Sequence, residues 1–422
     1  GMALRTEIFA KDAIKNGNTP EAIQKELTPY SVSTHNCIIE LVQPKGNNQH
    51  AIFIVKESEA LTYQYERNTE DPRIAHTLNI KLDKYGNVLE SASVVYPRRS
   101  PDTSLPSETR GEQAKTIVIY TKNNFTNDII DDVLQPDLYR LPLPSEVQTF
   151  ELKGVSKPDD YFKPGDFEEI LSDTHSTVAE YFEINKMPDA GKAQRRLIEH
   201  IRTIYYRNDL TGALPLHQLQ SLAIPFESYQ LAYAPALLTD IFDAKATNAL
   251  MDEGKFIHSE GDDNWWIRSG NMQFIENAET VSQAQNRFYV PLSYTDPFGG
   301  ITKVKYYGNY FLFINETEDA LGNKAGVETF NFRTLAPRKM RDINENFSEA
   351  ISDELGLVKA VVVMGKGNEA DDLTGITEDT DAVETALVQS FFNAADSVPL
   401  TNNGKQLLQR STSRFVYDMD AF

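Results

Sequence analysis

Hydrophobic and polar residues alternate with a period of two along much of the chain, in stretches rich in Val, Ile, Thr, Tyr and Phe. This period is typical of β-strands that are buried on one face. The stretches in the first half of the chain are residues 31–44, 51–55, 61–67, 116–121 and 147–154. A hairpin is predicted over residues 74–96, where Gly86 supplies the left-handed backbone of a tight turn. The pattern therefore predicts a mainly β protein.

Other segments depart from this alternation. We predict helical insertions near residues 166–186, 236–251 and 381–395, where the apolar spacing is closer to that of a helix. Residues 195–206 suit either a helix or a strand, because their spacing is helical while their Ile, Thr and Tyr content favours a strand. Residues 97–113 concentrate Pro, Ser, Arg and Glu, which is typical of a surface loop.

A turn motif that begins with Asp recurs in the last third of the chain. Its copies start at Asp296, Asp319, Asp342 and Asp353. The starts are separated by 23, 23 and 11 residues, which are close to multiples of one hairpin arm plus its turn. The Asp carboxylate accepts from backbone amides further along the turn, and Gly tolerates positive φ at the reversal. The copy at Asp342 has Glu345 where Gly is expected, so we expect Asn344 or Asn346 to take the strained position.

Strand-like arms separate these turns. They cover residues 301–307, 310–315, 327–331 and 358–363, and residues 83–87 form a fifth copy of the turn. The turns and arms resemble Rhs/YD repeats, most closely at residues 294–299, 302–306, 319–323 and 353–358. A repeat of this kind is a weak signal by itself, because many shells and adhesins carry it.

A second, ordered set of motifs is similar to the B component of bacterial insecticidal toxin complexes (Tc toxins). Its members are residues 63–76, 85–89, 96–99, 196–199, 209–211, 214–216, 225–229, 265–270 and 362–366. The set keeps its order over nearly the whole chain, which makes the resemblance more specific than the turns alone.

The resemblance implies an antiparallel Rhs/YD-type hairpin strip that forms part of a shell. It implies an Rhs-type C component and an enclosed toxic effector as partners, and a pore-forming A component reached through regions outside this chain. We expect a secreted or extracellular location. The expected segments are an N-terminal hairpin strip over residues 1–165, a mixed segment over 166–290, and YD-repeat hairpins with an acidic loop and a C-terminal helix or strand over 291–422.

Composition narrows the classes of function. The 422 residues include 41 Lys and Arg against 62 Asp and Glu, a formal charge of −21, and this disfavours binding to phosphate backbones. We find no apolar run near the ~18 residues of a membrane helix. The first residues lack the features of a secretory signal, and Gly1 and Met2 are typical of an expression remnant. The single cysteine, Cys37, excludes an intrachain disulfide, and we expect it to be buried in a strand.

Three stretches carry residue types that bind ions or ligands. Residues 364–368, Met-Gly-Lys-Gly-Asn, contain the glycines and lysine of a phosphate loop, but the spacing favours a simple turn after a strand. The acidic residues Asp371, Asp372, Glu378, Asp379 and Asp381 are possible calcium ligands, but they lack the order of an EF-hand. A solvated acidic loop is the preferred interpretation.

His76 is interpreted as a structural histidine on the first hairpin arm.

His258 to Trp266 form the third stretch, in which a histidine, acids and two tryptophans lie within nine residues. One interpretation is a sugar-stacking platform on Trp265 and Trp266, and another is a glycosidase carboxylate pair around Asp262 and Asp263. The preferred interpretation is an acidic turn before a strand, with the two tryptophans on opposite faces and one of them in the core.

The predicted function is therefore structural, with no catalytic, cofactor-binding or metal-binding residue assigned and no nucleic-acid or membrane partner. Two alternatives stay open. One is a carbohydrate-binding or adhesive YD-repeat module, and the other is a glycoside hydrolase-like enzyme.

Overall fold

The computed structural model describes residues 2–100, 102–130, 138–156, 159–172, 176–179, 193–276, 279–365 and 371–419. The chain divides into two compact units, Gly1–Ser269 and Gly270–Phe422. Each unit is built on one open β-sheet in which nearly all neighbouring strands are antiparallel. The prediction of a mainly antiparallel β protein with helical insertions is confirmed, while the division into three segments stays a prediction.

Unit 1, residues 1–269, contains an eleven-stranded sheet. Its strands are β1 (Arg5–Ile8), β2 (Ser31–Gln43), β3 (Ile52–Gln64), β4 (Arg73–Leu82), β5 (Val88–Val95), β6 (Ile117–Phe125), β7 (Pro144–Lys153), β8 (Ser176–Ala179), β9 (Ala193–Tyr205), β10 (Pro225–Tyr233) and β11 (Trp265–Arg268). The spatial order follows the chain except that β9 pairs with β7 and β8 joins β9 in parallel. Its α-helices are α1 (Pro20–Glu26), α2 (Ser107–Gln113), α3 (Asp166–Ile170), α4 (Pro235–Phe242) and α5 (Asn248–Glu253).

The largest core cluster of unit 1 lies on one face of this sheet. Leu78, Val94 and Val118 project from neighbouring strands and are fully buried, as the period-two pattern predicts. Residues 159–171, called here the cover segment, close this face by packing Phe162 and Phe167 against it.

Unit 2, residues 270–422, is a nine-stranded meander in which each strand pairs with the next along the chain. Its strands are β12 (Asn271–Gln273), β13 (Ser293–Thr295), β14 (Ile301–Tyr306), β15 (Ile314–Glu318), β16 (Lys324–Asn331), β17 (Ala336–Arg341), β18 (Phe347–Ser352), β19 (Val358–Met364) and β20 (Ser413–Arg414). Its helices are α6 (Val281–Asn286), α7 (Ala382–Phe392) and α8 (Ser397–Leu408). Among the described residues of both units, every helix is too short or too polar to cross a membrane.

Two predicted helices differ from what the sequence pattern suggested. Among the described residues of the insertion expected over 166–186, only α3 is helical, and β8 follows because the edge of β9 offers its backbone hydrogen-bond partners. Residues 173–175 and 180–192 lie outside the described residues. The segment 236–251 forms two short helices, because Asp243 adopts a positive φ of 54° after α4 and Thr247 caps α5.

Three further predictions are corrected or decided. Residues 97–113 are not all loop, since α2 occupies their end. The ambiguous segment 195–206 lies in strand β9, because pairing with β7 and β10 overrides its helical spacing. The arm predicted at residues 310–315 begins only at Ile314, since the preceding residues form a turn around Phe311 at φ 55°.

Candidate functional site

Five hairpin turns share one pattern of hydrogen bonds. They begin at Asp83, Asp296, Asp319, Asp342 and Asp353. In each turn the Asp amide donates to the carbonyl four residues on, and its Oδ1 accepts from the amides two and four residues on. At Asp319 both of these amide-to-carboxylate distances are 2.9 Å. The carboxylate therefore holds the reversal closed, as predicted.

The fourth position of the motif has a positive φ in all five turns. It is glycine in four of them, with φ 84° at Gly322, and it is Glu345 with φ 63° in the fifth. The expectation that Asn344 or Asn346 would take the strained conformation is wrong. Asn346 instead donates from its side chain to Asp342 Oδ2 at 3.1 Å, and the shared hydrogen-bond pattern fixes the strained position at Glu345.

The stretch from His258 to Trp266 is structural. Trp265 is 4% exposed and packs with Leu238 and Met251, while Trp266 is fully buried against Ile204 and Leu231. The expectation that only one tryptophan would enter the core is wrong, because α4 and α5 supply a second apolar contact on the other face. Neither ring presents a face on which a sugar can stack.

Asp262 is committed to the same structure. Its Oδ1 accepts from Trp266 Nε1 at 2.8 Å, and its Oδ2 pairs with Arg202 at 3.1 Å. Both oxygens of this carboxylate hold the loop against the sheet, so the geometry gives no support to a catalytic pair with Asp263.

The acidic loop is less solvated than expected. In residues 371–380, Ile376 packs against Ile351 and Ala360 of β18 and β19. Glu378 pairs with Arg338 at 3.0 Å, and Asp372 pairs with Arg410 at 2.9 Å. Within the described ranges, no group of His, Cys, Asp and Glu has the arrangement of a metal site. The phosphate-loop candidate at residues 364–368 lies mostly outside the described residues.

His76 is buried on β4 with both ring nitrogens partnered. Nδ1 lies 3.0 Å from the Tyr96 hydroxyl, and Nε2 lies 3.3 Å from Glu59. Burial lowers the pKa of His76 although Glu59 opposes this effect. The interactions agree with a structural histidine.

Cys37 is only half-buried in β2, so the expectation that it would be buried is wrong.

Sequence reasoning missed a polar network around Glu146 on β7. His200 Nε2 lies 2.7 Å from this carboxylate, Asn124 donates at 2.8 Å and Arg202 at 3.2 Å. Burial alone would raise the pKa of Glu146, but these hydrogen bonds outweigh it and lower the pKa to about 2. The partners are more than 20 positions away in the sequence, so no local motif marks them.

The same network contains a serine, a histidine and an acid. Ser145 Oγ lies 2.8 Å from His217 Nδ1, and His217 Nε2 lies 3.6 Å from Glu146. Ser145 is only 1% exposed and its hydroxyl is also 3.0 Å from the Asn124 carbonyl. A substrate carbonyl has no access to this oxygen, so the group joins β6, β7 and the loop at His217 without offering a nucleophile.

Comparison with known proteins relates this architecture to toxins. Residues 1–134 match the sequence profile of the family described as insecticide toxin TcdB middle/C-terminal region. A crystal structure of TcdB2-TccC3 is similar to the chain with a TM-score of 0.61 and 17% identity over 91% of the chain. The chain is similar to the Tc toxin B component. The resemblance predicted from the sequence is confirmed.

Two further solved structures have a similar fold. A Photorhabdus luminescens Tc holotoxin pore matches 92% of the chain with a TM-score of 0.60 and 18% identity. A crystal structure of TcdB2-TccC3-Cdc42 matches 92% with a TM-score of 0.59 and 17% identity. The chain spans only 17% or 18% of the length of these solved chains. No curated protein sequence matches it.

Proposed function

We propose that the chain is a wall segment of a hollow β shell that encloses a toxic effector. In this proposal it pairs with an Rhs-type C component, acts outside the producing cell and catalyses no reaction itself. The observation that carries the proposal is the likeness of fold over 91% of the chain to a B-component structure described together with TccC3.

The open sheets support this role. β1 pairs only with residues 31–34 of β2, and beyond them the outer edge of β2 has no strand partner among the described residues. Open edges of this length are normally protected, because their free backbone groups pair with other chains. A wall built from neighbouring strips would cover them.

The descriptions of two similar structures are compatible with an enclosed polypeptide. One similar structure is described as TcdB2-TccC3-Cdc42, and another as TcdB2-TccC3 without its hypervariable C-terminal region. By analogy, we propose that the partner of this chain carries an effector segment that the joint shell encloses.

Protease protection tests this proposal. The full-length protein that contains this chain, called here the parent, is co-expressed with its Rhs-type partner. Digestion of the effector segment by added protease is then followed over time. We expect digestion at least tenfold slower in the complex than in the partner expressed alone, while a tag on the outer surface of the partner is cut equally in both samples. Equal digestion of the effector segment in both samples would exclude a closed shell.

A further inference from the structure

The two faces of the unit 2 sheet differ in charge. The cross-strand register places Val304 opposite Thr317, Thr317 opposite Ala325, and Val327 opposite Met340 on one face. This face continues through Ser348 to Val363 and carries no acidic or basic residue at the directly paired positions of β12 to β19. We call it the uncharged face.

The opposite face, called here the charged face, carries a ladder of ion pairs. Lys305 lies 2.9 Å from Glu316, and Lys324 lies 3.4 Å from Glu318. Arg341 extends the ladder to Glu328 at 3.2 Å. Because cross-strand partners share a face and neighbours along a strand alternate, these charges all project away from the uncharged face.

The chain covers part of the charged face but leaves the uncharged face open. Residues 371–380 pack on Ile351 and Ala360, which continue the charged face into β18 and β19. On the uncharged face Met340 is 44% exposed and Val363 is 55% exposed, and none of its paired residues named above is fully buried in the part of the chain that is described. An open sheet face of uncharged side chains is unusual on a chain with a net charge of −21.

Part of the unit 1 sheet shows a similar uncharged surface. The face opposite its core places Thr62 beside Ala75, Ala75 beside Val95, and Val95 beside Ile117. These positions are uncharged and partly or largely exposed. Arg73, opposite Gln64, and Glu151, opposite Ile119, lie on the same face, so the uncharged surface of unit 1 is confined to part of its sheet.

We infer that the uncharged face of unit 2 meets the enclosed effector polypeptide. This inference rests on the proposed function and adds which surface lines the cavity. A charged lining would bind segments of opposite charge and repel segments of like charge. A lining of Thr, Ala, Val, Met and Tyr side chains does neither, because none of them carries a charge. It therefore suits a polypeptide of any charge that must be held and later released.

Site-specific photocrosslinking tests the inference in the assembled complex of parent and partner. A benzophenone amino acid replaces Val304 on the uncharged face or, as the matched control, its neighbour Lys305 on the charged face. Both sites lie on β14, so the variants share the same strand and the same distance from the turns. Native mass spectrometry first establishes that each variant assembles, and adducts are then identified by peptide mass spectrometry.

The inference predicts an adduct with the effector segment from position 304, at least tenfold more abundant than from position 305. Adducts with the effector from position 305 alone would reverse the faces and overturn the inference while leaving the shell intact. Adducts from position 304 only with the wall of the partner, or with a second copy of the chain, would also overturn it. A parent protein that forms no complex with its partner would refute the proposed function itself.

Discussion

The two units use different means to hold a β-meander in shape. In unit 1 the cover segment seals one face of the sheet over the largest cluster of buried side chains, and two smaller clusters surround Trp266 and Trp265. The described residues of unit 2 form a smaller cluster at Ile351 and Ala360, and most of the sheet is open on both faces. There the strands are joined by Asp-headed turns and cross-strand ion pairs.

The stability of unit 1 therefore depends mainly on buried side chains, and that of unit 2 mainly on local hydrogen bonds and ion pairs. A strip that grows by repeating hairpins does not need one central core, because each hairpin carries its own turn. Unit 1 should therefore be sensitive to loss of buried volume, and unit 2 to changes in turn chemistry.

Removing a buried ring from unit 1 should have the largest effect. Phe162→Ala should lower the free energy of unfolding of unit 1 by about 3–5 kcal/mol, because it opens a cavity between the cover segment and the sheet. Hydrogen exchange of peptides from each unit would measure this loss. Leu321→Ala, at an exposed side chain of unit 2, is the control and should change little. An equal loss from both variants would contradict the comparison.

Acid should weaken unit 1 through Glu146. Its pKa is about 2 in the folded chain against an ordinary value of 4.5, so its contribution to stability is present above pH 4.5 and is lost as the pH falls towards 2. The difference corresponds to roughly 3 kcal/mol. In denaturant titrations, Glu146→Gln should flatten this pH dependence. Glu112→Gln, on the exposed helix α2, should leave it unchanged. If the stability of Glu146→Gln changed with pH as steeply as that of the unmutated protein, Glu146 would not be the group responsible.

Removing one turn carboxylate should affect unit 2 locally. Asp319→Ala leaves the amides of Leu321 and Asn323 without their carboxylate acceptor and should cost about 1–2 kcal/mol. Hydrogen exchange should rise in β15 and β16 and not in unit 1. Asp319→Asn keeps one acceptor oxygen and should cost less. Exchange that rises throughout the chain would show that the turns are not independent.

The smallest effect should come from the strained position of one turn. Glu345→Gly should stabilise the hairpin by about 0.5–1 kcal/mol, because glycine adopts a φ of 63° without the penalty of a side chain. Gly322→Ala, at the equivalent position of another turn, should have the opposite sign. The unfolding temperature of each variant would be measured against that of the unmutated protein. A shift of both temperatures in the same direction would refute the shared turn geometry.

The fold was predictable wherever a local signal carries it. Alternation identified most strands, and the Asp motif identified the turns, because both depend on residues close in sequence. β9 was ambiguous because its pairing with β7 and β10 lies outside any local window. The helix α2 was missed because its polar residues resemble those of a loop.

The candidate sites were harder to judge for the same reason. The burial of Trp265 depends on α4 and α5, which contact it from another part of the chain. The network of Glu146 joins side chains from β6, β7, β9 and the loop at His217. Neither arrangement follows from spacing, since each depends on how distant segments pack.

The central claim is that this chain is part of a shell wall around a cavity. Electron cryomicroscopy of the full-length parent with its Rhs-type partner tests it most directly. We predict a hollow particle in which the strands of units 1 and 2 form part of the wall and density for the effector lies inside. A compact, solid particle without a cavity, or a hollow one with this chain outside the wall, would contradict the account.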